Sequence, residues 1–334
     1  RGYGKADSTG VKRGMVINIE ATVDAIKKAV AEASEQSKVD IKSVNVGIAG
    51  HHIKSLQHRG VLIREHADME ISDQELDKLR LDMYKIGTAP GEAIVNVIPQ
   101  EYFIDGEYIG NLRPKGMLGN RLEANFHIII GQTSAVKNIE KCIHYAGLEM
   151  ENMILEPIAS ASAVLFEDEK EAGVAIVDIG GGTTDIAVFY DSIIYHTAVI
   201  PFGGNVITED IRKGCSIIKK HAEEIKVKFG SAVAVENSDD EVVSIPGIRG
   251  REAKEISFKN LASIIQARLE EIFDLVNFEI QKVNSEHKLG AGIVLTGGGA
   301  MMKHICQLAE FKTGMEVRLG TPNGYLSNET SDDL

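Results

Sequence analysis

The sequence predicts an α/β protein built of more than one unit, and three observations carry that expectation. An apolar run at 174–179 is followed by Gly180, Gly181 and Gly182 and then by a second apolar run at 186–189. The pattern strand, glycine turn, strand reads as a hairpin. A second strand followed by glycines recurs at 291–300, where Gly297, Gly298 and Gly299 stand ahead of a segment with helical character at 301–310. Between 61 and 145 the expected elements run β-α-β-β-α, the order of a small separate α+β unit.

The tip of the hairpin has the parts of a phosphate site. Glycines let a backbone come close to a ligand, and successive N–H groups in a tight turn form an anion nest. Thr183 and Thr184 add hydroxyl donors. Asp178 and Asp185 cannot hold phosphate themselves, but they can hold Mg²⁺ or its waters. The plainer alternative is a tight β-turn with exposed acids. Other phosphate loops, with Gly-Lys-Ser/Thr or the dinucleotide glycine fingerprint, open a helix; here the chain turns back into a strand.

Composition sets outer bounds. The chain has 334 residues, 43% hydrophobic and 25% charged, which is globular and long enough for two domains. With 36 basic against 49 acidic residues the net charge is −13, which argues against a nucleic-acid binder and against attachment to a membrane by a basic surface. No apolar run approaches the length of a bilayer span. Cys142, Cys215 and Cys306 are far apart and form no CxxC pair, so three free thiols in a reducing cytoplasm are expected. The sequence begins at Arg1 without a signal peptide and reads as a segment trimmed at both ends.

In chain order, 18–35 carries apolar residues at helical spacing, and 43–48 is β-rich. His51 and His52 follow with no acid at ligand spacing, so a metal there is not expected. Ser72 and Glu75 form a capping box that opens a helix reaching about Lys85. A strand over 92–105 is interrupted by Pro99, Asp105-Gly106 marks a hairpin, 122–131 is another strand, and 134–146 is a helix ended by Gly147. Pro157 suits the first turn of a small-residue helix that starts at Glu156. A strand at 193–200 leads to Gly203-Gly204, and Asn205 is expected to cap a helix through Lys213. Residues 222–230 read as a charged helical turn, and 258–283 as a long amphipathic helix.

The hairpin resembles the phosphate loop of the actin, heat-shock-seventy and sugar-kinase superfamily. Within it, residues 177–188, 98–102 (Ile-Pro-Gln-Glu-Tyr), 199–206, 291–300 and 46–54 make the whole chain similar to the FtsA family of actin-like bacterial division proteins. The resemblance implies an actin-like (ribonuclease H-like) two-lobed ATPase fold with an inserted α+β subdomain. It implies a first-lobe core at 1–58, the insert at 59–147, a second-lobe core at 148–200 and 289–334, and an outer subdomain at 201–288. It also implies ATP and Mg²⁺ as ligands. Asp178 would hold Mg²⁺ through water, Gly180 to Thr183 the phosphates, and Gly297 to Gly299 the adenosine. Glu223 and Lys226 match the spacing of the superfamily's adenosine-contacting helix, with a solvated helix face as the alternative. Glu156 is the candidate to orient an attacking water, its alternative being an acid that favours the helix start.

The same resemblance implies a protein on the inner face of the membrane at the division site. It would tether the tubulin-like FtsZ, self-associate into filaments and recruit later division proteins through the insert, with at most slow hydrolysis. The family's first phosphate loop would precede Arg1 and its membrane-binding amphipathic helix would follow Leu334, so weak ATP binding is expected of this stretch alone. The alternative is a sugar- or acetate-type kinase of the same superfamily, although 59–147 offers no evident substrate pocket. No nucleic acid is expected as a partner.

Overall fold

The computed structural model describes residues 2–246, 252–284 and 288–322. The expected subdomain stretches at 247–251, 285–287 and 323–334 lie outside the described residues. Contacts divide the chain into two compact units, residues 1–159 with 191–198, and residues 160–190 with 199–334.

The first unit opens with two short paired strands, β1 (Val11–Lys12) and β2 (Met15–Val16). Helix α1 (Ile19–Ser37) is capped by Asn18, whose side chain accepts from the Ala21 N–H at 3.0 Å. Strand β3 (Ser43–Ile48) follows, then β4 (Ile53–Ile63), α2 (Asp73–Met83), β5 (Glu92–Ile104), β6 (Glu107–Gly110), β7 (Arg121–Gln132), α3 (Thr133–Tyr145) and β8 (Glu149–Leu155). The structure extends β4 well upstream of the expected 61–63 and adds β6. Asp105 and Gly106 both have positive φ, as a two-residue hairpin of this twist requires.

Strands β4, β7, β5 and β6 form one antiparallel sheet in that order. One face of it is closed by α2 over a core that includes Leu76, Leu79, Met83, Leu122, Phe126 and Ile128. The capping box is present in both directions at Ser72 and Glu75. Pro99 does not interrupt β5: the register shifts between Pro99 and Glu101, and the strand continues with Gln100 as its extra residue. Strand β8 pairs in parallel with β3, and α3 packs on α1. These contacts are why 148–155 groups with the first unit.

Residues 191–198 join this unit for a similar reason. Their carbonyls are held by side chains of the four-stranded sheet and the loop after it. Ser55 Oγ donates to Thr197 O (3.2 Å), Gln57 Nε2 to Tyr195 O (3.1 Å), Gln100 Nε2 to Ile194 O (2.6 Å) and Asn111 Nδ2 to Asp191 O (2.7 Å). The bulge at Pro99 is what aims Gln100 at this strand. His127, 1% exposed, places Nε2 at 2.9 Å from Thr197 Oγ1.

Chain order continues with α4 (Glu156–Val164), α5 (Glu167–Ala172), β9 (Val174–Ile179), β10 (Thr184–Tyr190), β11 (Ile193–Ile200), α6 (Gly204–Gly214), α7 (Lys219–Phe229), β12 (Val242–Ile245), β13 (Lys254–Ser257), α8 (Phe258–Asn284), β14 (Ile293–Thr296), α9 (Ile305–Thr313) and β15 (Val317–Leu319). In the second unit β10 pairs antiparallel with β9, β9 parallel with β14, and β14 parallel with β15. Every residue of β9 except Asp178 is buried, which fits a central strand. Helix α8 fills the core as its periodicity predicts, with Leu261, Ile265, Leu269, Ile272, Val276 and Ile280 fully buried.

Candidate nucleotide site in the second unit

A cavity of about 380 Å³ lies in the second unit, within the range of small-molecule sites. Three separate stretches of sequence converge on it: Gly180 and Gly181 of the β9–β10 turn, Glu223 and Lys226 of α7, and Gly298 and Gly299 after β14. These six are all residues that the sequence nominated.

The turn is braced from outside. The N–H groups of Gly204 and Asn205 donate to Gly180 O (2.9 Å) and Gly181 O (2.8 Å), so the first turn of α6 is docked on the glycines. Thr184 is fully buried and its hydroxyl donates to Phe202 O at 2.8 Å. This corrects its expected place among the phosphate ligands: the hydroxyl secures the base of the hairpin. Asp185, 3% exposed, accepts from Thr183 Oγ1 at 2.8 Å. The expectation of Asp185 as a metal ligand is corrected likewise, because its carboxylate faces inward and orients Thr183. Asp178, its cross-strand partner, is half-buried and accepts from Ser160 Oγ of α4 at 2.7 Å. Among the described residues no three His, Cys, Asp or Glu side chains are grouped to hold a metal.

On α7, Lys226 is almost buried and gives its three N–H groups to Glu223 Oε2 (2.8 Å), Thr208 Oγ1 (2.9 Å) and Gly204 O (3.1 Å). Thr208 Oγ1 also meets Glu223 Oε2. Burial raises the Glu223 carboxyl, but the hydrogen bonds from Lys226 and Thr208 outweigh it and hold the group ionised below its ordinary range. The wall is therefore an ordered network rather than a solvated helix face.

The loop after β14 is fixed by backbone geometry. Gly297 has φ +84°, and a Cβ there would stand 2.3 Å from Asp178 Oδ1. Gly298, in contrast, has nothing within 4 Å of its would-be Cβ, so a flat ligand can lie against it. A 3₁₀ turn, Gly298–Met301, separates this loop from α9, where a continuous helix was expected from Met301. Gly182 stands at the turn but off the cavity. Asn205 is not the cap of α6: Gly203 holds that position, and Asn205 lines the cavity instead. Met301, Met302 and Lys303 also line it. Their type carries no ligand signal, so sequence alone could not nominate them. Glu156 belongs to the first unit, exposed at the start of α4, with its Cγ packed where a Cβ on Gly47 would sit.

Comparison with known proteins gives this geometry a family. The model for cell division protein FtsA matches residues 175–333, that for the SHS2 domain inserted in FtsA matches 50–130, and that for Hsp70 protein matches 132–191. Cell division protein FtsA of Neisseria meningitidis serogroup B is 43% identical over 322 residues, 96% of this chain and 77% of the relative. The Pseudomonas aeruginosa protein of the same name is 40% identical over 321 residues, with 96% and 76% covered. That of Escherichia coli K12 is 34% identical over 328 residues, with 96% and 77% covered. Among solved structures, the PilM–PilN type IV pilus biogenesis complex superposes with TM-score 0.63 at 14% identity over 94% of this chain and 78% of that one. The ethanolamine utilization protein EutJ of Carboxydothermus hydrogenoformans gives 0.51 at 16%, over 92% and 72%. At such identities these two speak for the fold alone. The fold is actin-like α/β with an inserted small domain, and the chain belongs to the FtsA family of cell division proteins.

Proposed function

We propose that the chain is the ATP-binding body of a division scaffold that tethers FtsZ filaments to the inner face of the membrane, self-associates, and recruits later division proteins through the insert at 59–147. The observation that carries the nucleotide part is the convergence of Gly180, Gly181, Glu223, Lys226, Gly298 and Gly299 on one cavity. The donor set suits Mg-ATP. The glycine turn offers backbone to phosphate, the open side of Gly298 takes the base, and the half-buried Asp178 is the acid available to a hydrated Mg²⁺. Bound Mg²⁺ would neutralise phosphate charge. Glu156 keeps its proposed role of orienting a water for slow hydrolysis. The lobe bounds are those the resemblance implies, 1–58 with the insert 59–147, and 148–200 with 289–334 and the outer subdomain 201–288, except that 148–159 and 191–198 group by their contacts with the first unit.

Membrane attachment would come through an amphipathic helix beyond Leu334; among the described residues no helix is long and apolar enough to cross a bilayer. The test is calorimetry of Mg-ATP against the full-length protein and a Gly298→Val variant, together with co-sedimentation with FtsZ on vesicles of anionic phospholipid. ATP binding that Gly298→Val abolishes, with FtsZ carried to vesicles, supports the reading. Equal ATP binding by both proteins removes this cavity as the site.

A further inference from the structure

The four-stranded sheet of the first unit ends at β4, and among the described residues no strand pairs with its outer edge. That edge is eleven residues long, lacks proline, and is largely exposed. An edge of this kind is a template for a further strand. Two features lie beside it. On the α2 side is a cavity of about 320 Å³ between the end of β4 and α2, with Leu62, Ile63 and Met69 among its walls. Met69 is 59% exposed and Ile63 61%, a poor use of apolar surface unless something covers it. On the opposite face of the sheet, Arg59 and Arg121 share the single buried carboxylate of Glu123, at 2.8 Å and 3.1 Å. Both guanidiniums are about half exposed, Arg59 lies over the Phe103 ring at 4.0 Å, and Val61 is 47% exposed beside them. The trio carries a net charge of +1 on a chain of −13. The two features meet at the end of β4: Ile63, the cross-strand partner of Arg121, shares the arginine face, while its neighbour Leu62 turns toward α2.

We infer that the β4 edge takes an extended segment of a partner protein as a fifth strand, with an apolar side chain in the β4–α2 cavity and an acidic side chain on Arg59 and Arg121. Successive residues of a strand point to opposite faces, so one added strand meets both features with neighbouring side chains. Main-chain pairing supplies affinity, and the cavity and the arginines supply selectivity. The acidic choice follows from charge. The cavity rim carries Glu65 and Glu70 as well as Lys78, so it favours an uncharged side chain, whereas the outer face offers two cations to one carboxylate. This inference rests on the reading of the insert as the partner-binding unit and names where and how it binds.

The test is selection of ten-residue peptides from a displayed random library against the full-length protein, followed by hydrogen exchange and titration of the selected synthetic peptides. The expected peptides place Asp or Glu next to Leu, Ile, Val or Met and slow exchange within residues 53–63. Arg121→Leu, which leaves the Arg59–Glu123 pair in place, is expected to weaken binding about tenfold. Met69→Asp, at an exposed side chain, is expected to weaken it at least as much. Peptides that bind the insert but protect β6 or another surface overturn this inference while leaving the partner-binding reading intact. Absence of any insert-binding peptide counts against both. Selected peptides without acidic residues, or binding indifferent to Arg121→Leu, overturn the proposed chemistry.

Discussion

Ser160 Oγ donates to Asp178 Oδ2 at 2.7 Å and so ties helix α4 to the strand that leads into the glycine turn. The bond holds the carboxylate in one rotamer while leaving it half-buried. Asp178→Ala in the full-length protein is expected to weaken Mg-ATP by about tenfold or more, since a hydrogen bond to a charged group contributes roughly 1.5–3 kcal/mol. Ser160→Ala is expected to act in the same direction but less. Calorimetry with and without Mg²⁺ checks both, and an effect that persists without the ion would assign Asp178 a purely structural role.

Lys226 serves three acceptors from a nearly buried position. Lys226→Met keeps the aliphatic stem but removes the charged donor from Glu223 Oε2 and Gly204 O, leaving the Thr208 hydroxyl, with its single hydrogen, as their shared side-chain donor. Leaving such groups without their donor costs about 1–3 kcal/mol. The expected result is a lower melting temperature together with weaker nucleotide binding. Glu223→Gln, which keeps an acceptor for Lys226, is expected to be milder on both.

The glycines after β14 separate stability from binding. Gly297→Ala meets a positive φ and a carboxylate oxygen 2.3 Å from the new Cβ, so it is expected to destabilise the fold by more than about 1 kcal/mol. Gly298→Ala meets open space and is expected to leave the melting temperature nearly unchanged while intruding on the base. Thermal melts and nucleotide titration on the pair of variants distinguish them.

Acid stability is expected to fall in two windows. Burial, with His196 nearby, lowers His127 from 6.5 to about 4. Between those values the unfolded chain takes a proton that the folded chain refuses, so stability drops as pH falls from 6.5 toward 4, by about 2–3 kcal/mol in all. Hydrogen bonds from Arg64 and Ser72 hold Glu75 at about 2 against 4.5. Its stabilising share is complete above 4.5 and is lost as pH falls from 4.5 toward 2. Urea unfolding at pH 7 and 4.5 checks the first window. His127→Asn is expected to flatten it, and an unchanged slope would place the effect elsewhere.

How much of this was legible in sequence depends on the range of the interaction concerned. The Ser72–Glu75 box, the Asp105-Gly106 turn and the period of α8 are local, and each forms as its residues dictate. The glycine turn was legible because Gly180 and Gly181 have chemistry and few packing uses. Thr184 and Asp185 were misjudged because their chemistry suits a ligand equally well, and only the fold shows them turned to Phe202 and Thr183. Ser160 was missed because it acts on Asp178 from another element, and Asn205 was expected as a helix cap because its place against Gly181 and the cavity depends on the fold. The grouping of 191–198 with the first unit was not readable either, since it depends on a bulge that redirects Gln100 by one residue.

The grip on residues 191–198 has a consequence for how this segment can evolve. Ser55, Gln57, Gln100 and Asn111 all address main-chain carbonyls, at Thr197, Tyr195, Ile194 and Asp191. Every amino acid supplies a carbonyl, so exchanges of the held residues leave these four bonds available. The four holders have no such licence. The main-chain anchorage therefore survives exchanges of the held residues, most freely at exposed Asp191 and least at Ile194 and Thr197, which are buried, the latter with its hydroxyl against His127.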